Sequence, residues 1–262
     1  MPRLTNMLAT LAMLPAVVLG AGSAHAAPAA HFTGTSEQIL QTMLDTTAGT
    51  SDAASISGRF LGTPYGANTL IGSATEPEQL TVNLQAVDCF TYADYVEALK
   101  RADDRDEFLD SLVDVRYRDG DVSFENRKHF FTDWAATAPA VATDVTATVS
   151  DDAVRVPKTL NAKDSGGVYL PGIPVVARRV SYIPSSSVDA DVVSRLRTGD
   201  YLGAYASDGG LDVTHVGIFV DSPDGPVFRH ASSRSGEDMV IDTALADYLR
   251  TVPGVVVLRP LI

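Results

Sequence analysis

The residues that could carry out chemistry in this chain are few. Cys89 is the only cysteine among 262 residues, and three of the five histidines lie well inside the chain: His129, His215 and His230. A thiol beside an imidazole can act as a nucleophile, because the imidazole removes the thiol proton and later returns it to a leaving group. These four side chains are therefore the first candidates for a catalytic site.

Cys89 lies where a helix is predicted to begin. Asp88 is a good N-cap, and apolar and aromatic residues recur at helical spacing as far as Leu99. Free backbone N–H groups and the helix dipole favour negative charge at such a position. The position predicts a thiolate that forms more easily than on a free cysteine. The alternative is that Cys89 is a small buried apolar residue, as many lone cysteines are.

Two of the histidines fall on a predicted hairpin. If Val220 pairs with Val227, His215 and His230 become diagonal neighbours on one face of the sheet. A slip of one residue would place them on opposite faces. This register predicts that both imidazoles converge on Cys89, with His215 as general base and His230 as the residue that orients it.

Two other interpretations of the histidines remain open. They can be ordinary polar residues on a solvent-facing side of the sheet, or they can bind zinc together with Cys89. The chain has no close-spaced ligand pair, so a nucleophile is favoured over a metal site. It also has no Gly-rich phosphate loop, nucleotide motif or paired-carboxylate pattern, and no cofactor is predicted.

The elements that must position these residues are helices followed by a meander of strands. Helices are predicted over 36–44, 88–99, 105–115, 188–196 and 244–249, strands over 80–84, 199–205, 213–220, 227–232 and 255–259, a hairpin around Asp119-Gly120, and irregular strands within 140–183. Short strands in sequence order favour an antiparallel sheet, and helices before them give an α+β fold. Residues 36–262 show no repeat or linker, so one domain is predicted.

The amino terminus has the pattern of an export signal. Residues 1–26 combine a basic residue, an apolar run and the small residues Ala24 and Ala26 before a cleavage site. The apolar run is short and rich in alanine, so it does not predict stable membrane insertion. Residues 27–35 are expected to be a flexible tail. The mature protein is therefore expected to be periplasmic or secreted.

The composition excludes one large class of partners. A formal net charge of −13 at pH 7 disfavours binding to nucleic acid or to an anionic membrane surface. A charged, solvated surface accounts for this acidity by itself. Nothing in the sequence predicts an oligomeric state.

The segment from Asn126 to Trp134 is dense in polar and aromatic side chains and is predicted to form part of a substrate cleft. Asn126 can donate and accept hydrogen bonds, Arg127 can pair with a carboxylate, and Trp134 offers a flat apolar face. His129 could replace His230 as the third catalytic group. The alternative is that the aromatic residues only anchor the segment to the core.

Several motifs together resemble a known superfamily. They are Asp88-Cys89 at a helix start, Gly199-Asp200 before a strand, His215-Val216-Gly217-Ile218, and His230-Ala231. In this order they resemble the NlpC-like cysteine peptidases. The finer resemblance is to the N-acetylmuramoyl-L-alanine amidase-like branch, through the segments 60–65, 87–92, 126–134 and 230–233.

The resemblance implies a papain-like α+β fold with the catalytic cysteine at a helix start, packed on an antiparallel sheet. It implies that Cys89, His215 and His230 are the cysteine, histidine and third polar residue of a hydrolase acting on peptidoglycan or muropeptides. Tyr65 resembles the tyrosine lining the catalytic cleft. Asp88 and Ser232, which lie beside these residues, complete the predicted substrate contacts.

The resemblance also leaves the reaction open among three possibilities. The family cleaves either the muramoyl–L-Ala bond, as an amidase, or the D-Glu–diaminopimelate bond, as an endopeptidase. Residues 100–195 lengthen the usual link between the cysteine helix and the sheet, which favours the amidase-like branch. A cell-wall binding protein without turnover is the rival outside enzymes.

Overall fold

A computed structural model describes residues 27–262, so the predicted export signal over residues 1–26 lies outside the described residues. The helices are α1 (Ser36–Thr47), α2 (Ala53–Gly58), α3 (Cys89–Leu99), α4 (Arg105–Arg116), α5 (Asp133–Ala136), α6 (Thr146–Val149), α7 (Ala190–Arg195) and α8 (Leu245–Leu249). The strands are β1 (Ala30–Phe32), β2 (Leu80–Val82), β3 (Ala142–Asp144), β4 (Val154–Leu160), β5 (Val176–Pro184), β6 (Tyr201–Tyr205), β7 (Val213–Ser222), β8 (Gly225–Ala231), β9 (Val240–Ala244) and β10 (Gly254–Pro260).

The architecture is α+β with an antiparallel sheet, as predicted. The eight-stranded sheet runs in the order β4-β5-β10-β6-β7-β8-β9, and β3 pairs with β10. Strands β6 to β9 form a meander, while β10 returns to the other side of β6. Strand β9 and the helices α2, α5 and α6 were not predicted from the sequence.

The sheet has apolar side chains on both faces. Val216, Ile218 and Val220 of β7 are buried against α3 on one face, while Phe219 lies in a second core on the other. The interpretation of the histidine face as solvent-exposed is therefore wrong. A strand buried on both sides loses its polar face, and His215 and His230 lie within a largely apolar layer.

Helix α3 is the central helix of the fold and packs against both α4 and β7. The Asp88 side chain accepts hydrogen bonds from the backbone N–H groups of Phe90 and Thr91, and the Thr91 hydroxyl accepts from the N–H of Asp88. This reciprocal capping pairs backbone donors that a helix start would otherwise leave free. It fixes Cys89 as the first residue of the helix, where the sequence places it.

The segment 27–35 is not the flexible tail that was expected. Its strand β1 pairs in parallel with β2, from Ala30 opposite Leu80 to Phe32 opposite Val82. Phe32 also packs against the core. The short strand β2 has a free edge, and backbone hydrogen bonds to that edge hold the segment 27–35 in a fixed position.

The stretch 100–195 supplies helices α4 to α7 and the strands β3, β4 and β5 of the large sheet. Strands β4 and β5 form a hairpin, and β5 joins the sheet through β10. The hairpin expected around Asp119-Gly120 is instead a short 3₁₀ turn, with Asp119 at a φ of 55°. A single bridge between Tyr117 and Arg127 closes that turn, so no regular ladder forms there.

Candidate active site

The predicted hairpin register is confirmed. Val220 lies opposite Val227, and the ladder continues to Ile218 opposite Arg229. The ladder ends at that pair, and the histidines lie just beyond its end. There, His215 Nε2 lies 2.8 Å from His230 Nδ1, which is a direct hydrogen bond between the two rings. The structure thus brings His215 and His230 together as predicted.

Cys89 approaches this pair from the start of α3. The backbone N–H of Val216, the residue after His215, lies near the sulfur and favours its ionised form. Cys89 as a whole residue is partly exposed. Because Nε2 of His215 is engaged by His230, Nδ1 is the ring nitrogen of His215 that this hydrogen bond leaves free.

The expectation of an easily formed thiolate is wrong for the resting site. Burial raises the pKa of the Cys89 thiol to about 12, and the nearby Asp88 carboxylate adds to the rise. The backbone N–H groups of Val216, Cys89 and Phe90 oppose this shift without cancelling it. The favourable helix start is therefore outweighed by the loss of solvent around the sulfur.

The two imidazoles are likewise neutral at rest. Burial, with smaller contributions from the positive charges of Arg234 and of a protonated His230, lowers the pKa of His215 to about 3. Burial and Arg234 lower the pKa of His230 to about 4, although Asp242 opposes the shift. The site therefore holds a thiol and neutral imidazoles near pH 7, which suits general-base activation of the thiol during attack.

Aromatic rings enclose the histidine pair. The His230 ring stacks on Phe228 with centroids 4.8 Å apart, and Tyr248 stacks on the same phenyl ring at 4.1 Å. A Cβ atom at Gly217 would lie 2.5 Å from Phe228, so only glycine leaves room for this ring. The enclosure removes water from the imidazoles and is the physical source of their low pKa values.

One wall of the site is made of two loops joined by backbone hydrogen bonds. Tyr65 N donates to Asp238 O, and an isolated bridge joins Tyr65 to Val87, two residues before Cys89. The Tyr65 hydroxyl lies beside Ser233. Burial raises the pKa of Tyr65, and the charges of Cys89 and Asp88 contribute to the rise. Tyr65 is thus at the site, as predicted.

Ser232 belongs to the frame of this wall. Its side chain is buried and its hydroxyl donates to the Glu237 carboxylate. The Ser232 hydroxyl also accepts from the backbone N–H of Arg234. Ser232 therefore shapes the loop 232–239, and the prediction that it contacts substrate is corrected.

A cavity opens on the side of the site that carries Asp88. An outer part of about 590 Å³ and an inner part of about 120 Å³ share the residues Leu70, Asp88 and Arg127. The Nη2 atom of Arg116, which lines the inner part, and the hydroxyl of Thr69, which lines the outer part, are buried without a hydrogen-bond partner among residues 27–262. Asp88 thus faces a space that can hold part of a ligand.

The segment 126–134 contributes less to this space than predicted. Trp134 is fully buried and packs on Phe90 and Tyr201, so the prediction that it binds substrate is wrong and the core interpretation is right. The Asn126 amide donates to Asp121 and closes a turn. Trp134 and Asn126 therefore stabilise the fold, and their residue types alone do not show this.

Arg127 and His129 line the cavity, but each already has a protein partner. The Arg127 guanidinium pairs with both carboxylate oxygens of Glu78, so it is not a free carboxylate receptor. His129 Nε2 lies 2.7 Å from Phe124 O, and His230 takes the place beside His215 that His129 was also considered for. Their predicted contact with substrate remains a prediction.

Several residues around the site were not predicted from the sequence. Thr243, on the unpredicted strand β9, lies beside His230, while Tyr248 and Arg234 face the histidine pair. None belongs to a motif. Thr243 could have been placed near His230 only from its pairing with β8, and that pairing can be predicted only once β9 is recognised as a strand.

No helix within residues 27–262 is long and apolar enough to cross a membrane. Over the same residues, no cluster of three or more histidine, cysteine, aspartate or glutamate side chains is arranged to hold a metal ion.

Comparisons with known proteins identify one family model and several similar solved structures. A family model described as AmiA-like, N-acetylmuramoyl-L-alanine amidase-like, matches residues 55–255. An N-acetylmuramoyl-L-alanine amidase from Bacteroides uniformis is similar at 27% identity over 80% of this chain and 98% of its own, with a TM-score of 0.67. A Bacteroides fragilis protein provisionally named a xylanase is 27% identical over 78% and 98%, with a TM-score of 0.63. No curated protein matches the chain.

A Legionella pneumophila protein shares the fold. It is 22% identical over 86% of this chain and 95% of its own, with a TM-score of 0.71.

Proposed function

The chain belongs to the AmiA-like family of N-acetylmuramoyl-L-alanine amidase-like proteins, and from this membership we propose that it is an exported cysteine amide hydrolase of the NlpC-like, papain-fold superfamily. Its substrate is bacterial peptidoglycan or the muropeptides derived from it, and the bond cleaved is the one between muramic acid and L-Ala. The observation that carries the proposal is the hydrogen bond between His215 and His230, together with the position of the Cys89 thiol near the backbone of Val216, the residue after His215.

The first half of the reaction transfers the acyl group to the enzyme. As the Cys89 sulfur attacks the amide carbonyl, Nδ1 of His215 takes the thiol proton. The resulting imidazolium donates its Nε2 proton in the hydrogen bond to His230, which stabilises the positive charge. His215 then protonates the amine as the C–N bond breaks, leaving a thioester on Cys89.

The second half of the reaction restores the enzyme. Water attacks the thioester carbonyl while His215 accepts a proton from it, and the carboxylic acid product leaves as the Cys89 thiol is reprotonated. Charge develops on the carbonyl oxygen in both halves. The backbone N–H of Cys89, at the start of α3, is the donor proposed to stabilise that oxygen.

The cavity beside Asp88 favours the amidase reaction. The leaving amine must reach His215, so the acyl part of the substrate must occupy space away from His215 and His230. The cavity beside Asp88 is such a space, because neither of these two histidines lines it. In an amidase, the acyl part carries the sugar. The outer cavity offers hydroxyl and amide groups with one aromatic ring, a lining suited to a sugar: Asn68, Thr69, Ser73, Thr75 and Phe124.

The test is to incubate the protein with defined disaccharide-pentapeptide muropeptides and identify the products by mass spectrometry. The amidase releases the intact stem peptide with a free L-Ala amine. The endopeptidase leaves L-Ala–D-Glu on the sugar, and a binding protein leaves the substrate unchanged. Cys89→Ala is expected to abolish hydrolysis while its circular dichroism and melting temperature remain close to those of the wild type. Hydrolysis by that variant at the wild-type rate would end the cysteine mechanism.

A further inference from the structure

The hydrogen bond between the histidines is one link of a longer chain. His230 Nε2 lies 3.0 Å from the hydroxyl oxygen of Thr243. Thr243 is directly opposite Phe228 in the β8–β9 ladder, so it shares a face of the sheet with His230. Both ring nitrogens of His230 are therefore engaged, one by His215 and the other by Thr243.

The carboxylate nearest to this chain is held on the opposite face. Asp242 precedes Thr243, and successive side chains of a strand point to opposite sides. Its two oxygens accept hydrogen bonds from Arg229 at 2.7 and 2.8 Å. The partner of His230 Nε2 is thus a neutral hydroxyl, which can accept or donate a hydrogen bond.

The direction of the chain decides whether His215 can act as a base. If the Thr243 oxygen accepts from His230 Nε2–H, then His230 Nδ1 is unprotonated and accepts from His215 Nε2–H. The lone pair of His215 Nδ1 is then free to take the thiol proton. In the reverse direction, a proton occupies His215 Nδ1, and the ring cannot receive another from Cys89.

We propose that Thr243 is a positioning residue, whose hydroxyl accepts the Nε2–H of His230 and thereby holds both histidines in the Nε2–H tautomer. The inference rests on the proposed function. It adds a residue that touches neither the substrate nor the reacting atoms and acts through His230. The same direction is required when His215 becomes an imidazolium, because its Nε2–H then needs His230 Nδ1 as an acceptor.

The test compares Thr243→Val with Thr243→Ser. Valine has the same branched shape and suits a strand but has no hydroxyl, whereas serine keeps the hydroxyl and loses a methyl group. Loss of one hydrogen bond in a charged chain predicts a fall in kcat of about 5- to 50-fold for Thr243→Val, with KM unchanged. Thr243→Ser is expected to keep kcat within about 3-fold of the wild type, since its hydrogen bond is retained.

A second measurement does not depend on turnover. In protein with ¹⁵N-labelled histidine at neutral pH, long-range ¹H–¹⁵N spectra distinguish the Nδ1–H and Nε2–H tautomers. The wild type and Thr243→Ser are expected to show Nε2–H at both His215 and His230. Thr243→Val is expected to show a mixture at His230, because the fixed acceptor is gone.

The outcomes separate this inference from the proposed function. An Nδ1–H tautomer at His215 in the wild type overturns the role of Thr243, as does a Thr243→Val protein with unchanged kcat and unchanged tautomers. If Thr243→Val and Thr243→Ser lose the same activity and have the same fall in melting temperature, Thr243 contributes only packing, and the proposed role of its hydroxyl is also overturned. Full hydrolysis by Cys89→Ala instead defeats the proposed function, and the spectra still decide the tautomers.

Discussion

His215 Nε2 and His230 Nδ1 are 2.8 Å apart, although the two residues lie on different strands and are separated by 15 positions. The contact follows from the pairing of Val220 with Val227, which places both imidazoles on one face of the sheet. The buried position of His230 and the aromatic ring of Phe228 hold the bond in place. The relationship turns two separate histidines into one unit with a single free ring nitrogen at His215.

Loss of either histidine is expected to reduce turnover to different extents. His215→Ala removes the base and is expected to lower kcat by at least about 100-fold. His230→Ala removes only the orienting partner, so its effect on kcat is expected to be smaller, although loss of this buried, stacked ring should lower the melting temperature. His31→Ala, at an exposed position of β1, is the matched control and should have wild-type activity. Equal activity of His215→Ala and the wild type would contradict the assignment of the base.

The reactivity of the thiol should report its raised pKa. Because burial raises the pKa of Cys89 to about 12, the thiolate fraction near pH 7 is expected to be lower than that of free cysteine. Alkylation by iodoacetamide should therefore be slower than that of free cysteine at pH 7 and rise steadily up to at least pH 9. A fast plateau that persists below pH 6 would instead indicate a thiolate–imidazolium pair at rest. Cys89→Ser, which lacks the thiol, provides the blank.

Folding stability is expected to fall on acidification below pH 6.5. The pKa values of His215 and His230 are lowered to about 3 and about 4, so between these values and 6.5 the unfolded chain binds more protons than the folded one. Stability therefore rises with pH across this window and is lost as pH falls through it. Urea midpoints at pH 7 and pH 5 measure the change. The double variant His215→Gln and His230→Gln should lose less between these pH values than the wild type does.

The parts of the site that the sequence predicted depend on local patterns. Asp88 is a capping residue followed by helical spacing, so the position of Cys89 at a helix start could be predicted. The alternation of Val216, Ile218 and Val220 gives the register of β7, and the register brings the two histidines together. Each of these inferences needs only a few neighbouring residues.

The parts that were wrong or missed depend on contacts between distant segments. The pKa of Cys89 is set by burial beneath segments far along the chain, and the pairing of Arg127 depends on Glu78, 49 positions earlier. Trp134 has the residue type of a ligand contact but is enclosed by Phe90 and Tyr201. No local pattern reports which of these partners the fold provides.

The buried ion pair between Asp94 and Arg116 is expected to be essential for stability. Arg116 Nε donates to Asp94 at 2.8 Å, and both side chains are almost fully buried. Removing one partner leaves an uncompensated buried charge, so Arg116→Met should cost about 3–5 kcal/mol in the free energy of unfolding. The exposed pair of Arg250 and Asp247 is the control, and Arg250→Met should cost less than about 1 kcal/mol. Urea denaturation of the two variants measures both values, and similar costs would contradict the argument.

The pair of Glu78 and Arg127 distinguishes two roles for the arginine. The structure gives Arg127 a structural role, because its guanidinium holds Glu78 and also lies 3.4 Å from the backbone oxygen of Ile71. If that role is the main one, Glu78→Gln and Arg127→Gln should each lower the melting temperature and raise KM. The double variant should then be little worse than either single variant, because both remove the same contact.

If Arg127 instead binds a substrate carboxylate directly, the two single variants should differ in their effect on KM. Glu78→Gln would free the guanidinium and leave KM unchanged or lower it, whereas Arg127→Gln would raise KM with little change in melting temperature. The double-mutant cycle in KM and in the free energy of unfolding therefore separates the roles. We expect a coupling energy of about 1–3 kcal/mol in unfolding, since the pair is largely buried and doubly hydrogen-bonded. If the effects of the two single variants on the free energy of unfolding are additive, the result would favour direct binding of the substrate by Arg127.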